Sequence, residues 1–183
     1  MHWQLCLVVF FSFGSLLYLV ESTVYRSGVQ HDVPISSLVA AGCVSCYETL
    51  HGSVSKLQDI TSCTGPYLFV GTQIRDKEVL EIGALTSVQV LRIESTRSEP
   101  YLSNRVHWHF VKGCSFGFTA VDYDDNSIDG ENRDSVVSTS SRRVVSWNID
   151  QSIGCNPDDG LGTHSIVDTP SWTKHVHNCP AGL

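Results

Sequence analysis

The chain has 183 residues, with 12 Lys and Arg against 19 Asp and Glu and a net charge of -7. That length holds one domain with a real core, and the acidic balance disfavours nucleic acid and anionic membrane as partners.

Leu5 to Val20 is an apolar run broken only by Ser12, Gly14 and Ser15, and polar residues follow it at once. It falls short of the roughly 20 apolar residues of a spanning helix. Its end, Val20-Glu21-Ser22, offers a small-residue cleavage context, so residues 1–22 read as a signal peptide cut after Ser22. No second hydrophobic span follows, and no transmembrane anchor is expected. Loss of Glu21 leaves 18 acidic against 12 basic side chains, with the acids concentrated between Asp122 and Asp134. Cys6 departs with the leader, and Cys43, Cys46, Cys63, Cys114, Cys155 and Cys179 remain. Six cysteines on an oxidising route imply up to three disulfides, whose pairing spacing alone does not fix. Cys43-Val-Ser-Cys46 has the spacing of zinc and redox motifs, but no second pair and no βαβ pattern accompany it, which favours structural disulfides.

Residues 23–33 are polar and without period, and read as a flexible leader to a domain spanning 34–183. Pro34 to Gly42 reads as a turn or helical turn that ends at glycine. A short N-terminal helix follows, with Ser53 as its cap, Val54, Leu57 and Ile60 on one face, and Gly65-Pro66 as its stop. Cys63 lies at its end, and a bond from Cys46 to Cys63 would pin the helix to the segment before it. Period 2 then takes over in Tyr67–Gly71, Val79–Ile82 and Val88–Ile93, which read as strands of an antiparallel sheet. Val106, Trp108 and Phe110 alternate with His107 and His109, and Phe116 and Phe118 flank a glycine. This is a hairpin about Lys112-Gly113. Asp122 to Ser141 is a polar loop; Val144, Val145, Trp147 and Ile149 return to the sheet, and Ile166, Val167, Trp172 and Val176 mark a closing strand. The whole reads as mainly β: a single disulfide-stabilised, antiparallel β-sandwich-like domain.

Candidate chemistry is sparse. His107/His109 and His175/His177 are two His-x-His pairs whose rings would share a strand face and converge as Zn or Cu ligands if the strands were neighbours. The alternative, polar faces of half-buried strands, is preferred, because no acidic ligand accompanies them. Asp125, Ser127, Asp129 and Gly130 occupy the first, third, fifth and sixth positions of a calcium loop, but Val136 stands where a bidentate Glu is needed. The loop therefore reads as solvated, with a weak surface calcium on Asp125, Ser127 and Asp129 as the alternative, and no other cofactor is expected. No Gly-x-Ser-x-Gly elbow or Cys-Gly-x-Cys-Trp signature points to a hydrolase. Among the aromatics, Trp108 and Trp147 lie in strand patterns and read as core. Tyr123 and Trp172, with polar neighbours, are the ligand-platform candidates.

The order of motifs resembles an uncharacterised module of secreted and extracellular proteins of marine invertebrates and bacteria. The residues that carry it are Gly42-Cys43, Cys46-Tyr47, the helix to Cys63, Leu68-Phe69-Val70-Gly71, His107-Trp108-His109-Phe110, Ser115-Phe116-Gly117-Phe118, Arg143 to Asn148, Ile153-Gly154-Cys155 and Trp172 to Val176. The likeness covers about Val33 to Asn178. Here Cys43 replaces a Trp of the pattern, His107 and His109 replace Gly and Tyr, Asn148 replaces His, and a Gly-Gly-Tyr-Arg turn is largely lost at Gly154-Cys155-Asn156. The resemblance implies an extracellular domain and attaches no activity to it. Together these features lead to a secreted binding or structural module whose partner is an extracellular protein, matrix component or glycan, without catalysis. A secreted hydrolase or metal-dependent enzyme is the alternative.

Overall fold

In the computed structural model the described residues are 26–50, 53, 55–96, 99–122, 135–138, 143–149 and 172–181. The proposed signal peptide, Tyr123, Asp125, Ser127, Asp129 and Cys155 lie outside them. In chain order the elements are β1 (Val29–Pro34), α1 (Ile35–Ala40), β2 (Val44–Leu50), α2 (Leu57–Thr61), β3 (Tyr67–Ile74), β4 (Val79–Ser87), a 3-10 helix (Val88–Leu91), β5 (Tyr101–Ser103), β6 (Val106–Val111), β7 (Ser115–Ala120), β8 (Ser135–Ser138), β9 (Arg143–Asn148) and β10 (Trp172–Cys179).

Period 2 in β6 and β7 sends Trp108, Phe110, Phe116 and Phe118 to one face, where Trp108 pairs with Phe118 and Phe110 with Phe116 across the hairpin. Gly113 takes the positive φ of 76° that the three-residue turn requires. The hairpin lies inside an antiparallel sheet ordered β5-β6-β7-β9-β8, while the other antiparallel sheet is ordered β1-β4-β3-β10-β2. One continuous core joins them: Tyr47, Leu68, Val70, Ile82, Ala84 and Val176 from one sheet meet Val106, Trp108, Phe110, Phe116, Phe118, Val145 and Trp147 from the other. Trp108 and Trp147 are fully buried, and the Tyr47 and Trp147 rings approach to 6.4 Å across the gap. Burying a side chain of this kind stabilises the fold by about 1.5–3 kcal/mol or more.

A second, smaller core forms under α1, where Leu38 and Ala41 pack on Val33, Phe69, Leu80 and Leu85, and Cys43 and Cys179 are joined by a disulfide. Buried on both faces, β3 reads as a continuous apolar run from Leu68 to Val70. Cys46 and Cys63 are bonded as expected, and Cys114 is also disulfide-bonded. Among the described residues no helix is long and apolar enough to cross a membrane.

Three expectations need correction. Val29 to Val33 belongs to an edge strand rather than a loose leader: β1 pairs antiparallel with β4, from Val29 opposite Ala84 to Pro34 opposite Val79. An edge strand ladders on one side only, so it tolerates Pro34 at its end and a polar middle. Val88 to Leu91 turns as a 3-10 helix, capped by the Ser87 hydroxyl, which accepts from the Gln89 N–H at 3.2 Å. The adjacent pair Val90 and Leu91 is buried while Gln89 and Arg92 are exposed, a period of three. The helix expected from Ser53 starts only at Leu57 and has no side-chain cap. The Ser53 carbonyl accepts from Lys174 Nζ at 2.6 Å instead, and Ser55 bridges to Ile149, which draws this segment out. The helical turn expected over Pro34 to Gly42 is present as α1.

Candidate functional site

Two concavities draw polar side chains together. The larger, about 820 Å³, opens between α2, the end of the 3-10 helix and the β6–β7 turn, and is lined by Lys56, Leu57, Gln58, Thr61, Leu91, Arg92, Glu94, Phe110 and Lys112. Three separate constraints build it. The Cys46–Cys63 bond holds α2, with Lys56 at its N-cap. The Ser95–Phe110 bridge, closed by N–H to O bonds of 3.0 and 2.9 Å, ties the segment after the 3-10 helix to β6 and so places Arg92 and Glu94. Lys112 projects from the hairpin turn, beside Cys114, whose carbonyl accepts from Ile149 N–H at 2.8 Å. Leu91 and Phe110 form an apolar floor. Lys56, Arg92 and Lys112 are exposed and make no ion pair among the described residues, against a single acid, Glu94.

The smaller cavity, about 440 Å³, lies on the other sheet and is lined by Glu48, Thr49, Leu50, Gln73, Arg75, Asp76 and Thr173. Thr173 is its one lining residue from β10, which runs between β3 and β2, so that His175, two residues on, faces Gly71 on one side and Glu48 on the other. Thr173 Oγ1 and His175 Nε2 are 2.7 Å apart, and His175 Nδ1 lies 3.8 Å from Glu48 Oε2. His177 stacks on His175, with ring centroids 5.9 Å apart and planes at 10°. Burial lowers the pKa of His175 to about 4. His177 is lowered to about 4 by burial and by His175, with Glu48 acting in the opposite direction.

No family model, curated protein or solved structure matches this chain. The site is therefore argued from its own side chains.

The two His-x-His pairs do not converge, because β6 and β10 belong to different sheets. Among the described residues no group of three or more His, Cys, Asp or Glu side chains is placed to hold a metal ion. Of the polar strand faces expected, only His107 is half-buried; His109, His175 and His177 are buried. Trp172 is half-buried against the inter-sheet core and lines neither cavity. Tyr123, Asp125, Ser127 and Asp129 lie outside the described residues. The lining residues were invisible to sequence reasoning because Lys56, Arg92 and Lys112 come from three distant segments. A weak signal did exist for the smaller cavity: Thr173-Lys-His175 spaces a hydroxyl and an imidazole two apart on one strand face.

Proposed function

We propose that the protein is a secreted extracellular binding module that takes a sulfated glycan in the cleft lined by Lys56, Arg92 and Lys112. The observation that carries this reading is the gathering, over an apolar floor in a chain of net charge -7, of three cations that pair with no acid among the described residues. Clustered cations on an acidic protein focus a local positive field, which attracts anions and orients them. Leu91 and Phe110 add a dry floor on which the apolar face of a sugar ring can rest. The apolar run at residues 5–20, the disulfides Cys43–Cys179 and Cys46–Cys63 and the resemblance to a secreted module all support an extracellular setting.

The test uses the full secreted chain and a sulfated glycosaminoglycan oligosaccharide, with its desulfated form as control. Binding is expected to depend on sulfation and to weaken steeply as salt rises. Lys56→Ala, Arg92→Ala and Lys112→Ala should each reduce affinity about tenfold, the scale of a lost charge-assisted hydrogen bond. Equal binding of the desulfated control, or of the triple variant, would overturn the assignment.

A further inference from the structure

The smaller cavity carries chemistry that the cationic cleft does not, and it lies on the other sheet. We infer that Thr173, His175 and Glu48 form a hydrolytic relay acting on small carboxylic esters, with Thr173 as nucleophile, His175 as general base and Glu48 as the group that orients the imidazole.

The geometry has the three links such a site needs. Thr173 Oγ1 lies 2.7 Å from His175 Nε2, within range for proton transfer. Two weaker acceptors, the carbonyl and Oε1 of Gln73, stand at 3.4 Å, so distance favours the imidazole. Glu48 is the cross-strand partner of His175, and its Oε2 is 3.8 Å from Nδ1. A carboxylate on that side favours the tautomer with the proton on Nδ1, which leaves Nε2 free to accept. Catalytic bonds of this kind are often long in the unliganded protein and tighten with substrate. Thr173 and Glu48 both line the 440 Å³ cavity, a size suited to a small ligand. Arg75, which lines the same cavity, is the cation that the relay would use for the acyl oxygen. Thr173 is β-branched on a strand, so its χ1 is stiff and its hydroxyl is held in place.

The reaction balances without a cofactor. Thr173 Oγ bonds to the ester carbonyl carbon while its proton passes to His175 Nε2. The tetrahedral oxyanion collapses, the ester C–O bond breaks, and the departing alkoxide takes that proton and leaves as the alcohol. Water then adds to the acyl-Thr173 carbonyl and gives a proton to Nε2. Collapse breaks the acyl–Oγ bond, returns the proton to Thr173 and releases the carboxylic acid.

The experiment follows p-nitrophenyl acetate turnover by the full chain, with alkyl fluorophosphonate labelling mapped by mass spectrometry. The label is expected on Thr173. Thr173→Val and His175→Gln should lower kcat by about 100-fold or more, and Thr173→Ser should retain turnover and labelling. Glu48 is exposed, at 60% of its side chain, so Glu48→Gln should fold; its kcat should fall about tenfold with little change in KM. A buried neutral base predicts an acid limb near pH 4 in kcat/KM, since burial holds His175 at about 4, and the titrating groups that face it are Glu48 and His177. Turnover unchanged in folded Thr173→Val, or label on another residue, would overturn the relay. If His175→Gln fails to fold, unchanged kcat in Glu48→Gln together with an unlabelled Thr173 would overturn it equally.

Discussion

The motif His-x-His occurs in both sheets, and its two copies meet opposite environments. On β6 the His109 ring lies over Gly117, its cross-strand partner. It is buried, and neither ring nitrogen has a hydrogen-bond partner among the described residues; desolvation lowers its pKa to about 3. On β10 the His175 ring shares Thr173 Oγ1 on one nitrogen and faces Glu48 with the other. The spacing is the same, and the residues on the neighbouring strands decide the outcome. A glycine across the ladder makes room for an imidazole that then acts as a space-filling group. A hydroxyl on the same strand and a carboxylate on the next make a polar relay.

Acid should break both copies at once, and this is the largest expected effect. All three buried histidines have folded pKa values near 3 or 4 against an ordinary 6.5. Between about pH 6.5 and 4.5 the unfolded chain therefore binds more protons than the folded one, and stability falls as pH falls. The loss is on the order of 2 kcal/mol per histidine across that window. Urea midpoints at pH 7.0, 5.5 and 4.5 should drop in that order, and a midpoint that stays level would show that these rings accept protons without unfolding.

Gly117→Ala tests the β6 copy alone. A Cβ there would stand 2.0 Å from the Val145 carbonyl oxygen and 2.6 Å from His109 Cε1. We expect a loss of about 3 kcal/mol, read by thermal melting. His109→Ala in the same chain should recover only part of it, because the clash with the Val145 backbone remains; complete recovery would assign the whole cost to the imidazole.

Smallest, and most diagnostic of the contrast, are the leucine substitutions at pH 7. His109→Leu removes two unpartnered ring nitrogens and should be neutral or stabilising by up to about 1 kcal/mol. His175→Leu should cost about 1 kcal/mol, because it removes the closest partner of the Thr173 hydroxyl and leaves it only the two Gln73 acceptors at 3.4 Å. Equal effects at both sites, measured by denaturant unfolding, would mean that the relay contributes nothing to the fold.

Much of the scaffold was legible because its signals are local. The alternation of Val106, Trp108 and Phe110, the break at Lys112-Gly113 and the return at Val145 and Trp147 each specify a strand, its buried face and its turn without reference to the rest of the chain. The Cys46–Cys63 bond was legible from a short loop and an intervening helix. Elements that depend on a partner were not. β1 is a strand because β4 offers it an edge, and Ser53 fails as a cap because Lys174, some 120 residues later, takes its carbonyl. The candidate sites suffered most. A cleft whose three cations come from α2, the end of the 3-10 helix and a hairpin turn has no sequence spacing to read, whereas the acidic loop, which has one, lies outside the described residues.

By itself the sequence determined the mainly β class and the aromatic hairpin at its centre, and pointed to the pairing of Cys46 with Cys63 that the structure settles, since hydrophobic period and short-loop closure act over a few residues. Only the tertiary structure decided which sheet each hairpin and each histidine pair belongs to, and hence which side chains face one another. Sheet order fixes those neighbours through long-range pairing, as when β10 inserts between β3 and β2 and brings His175 to Glu48.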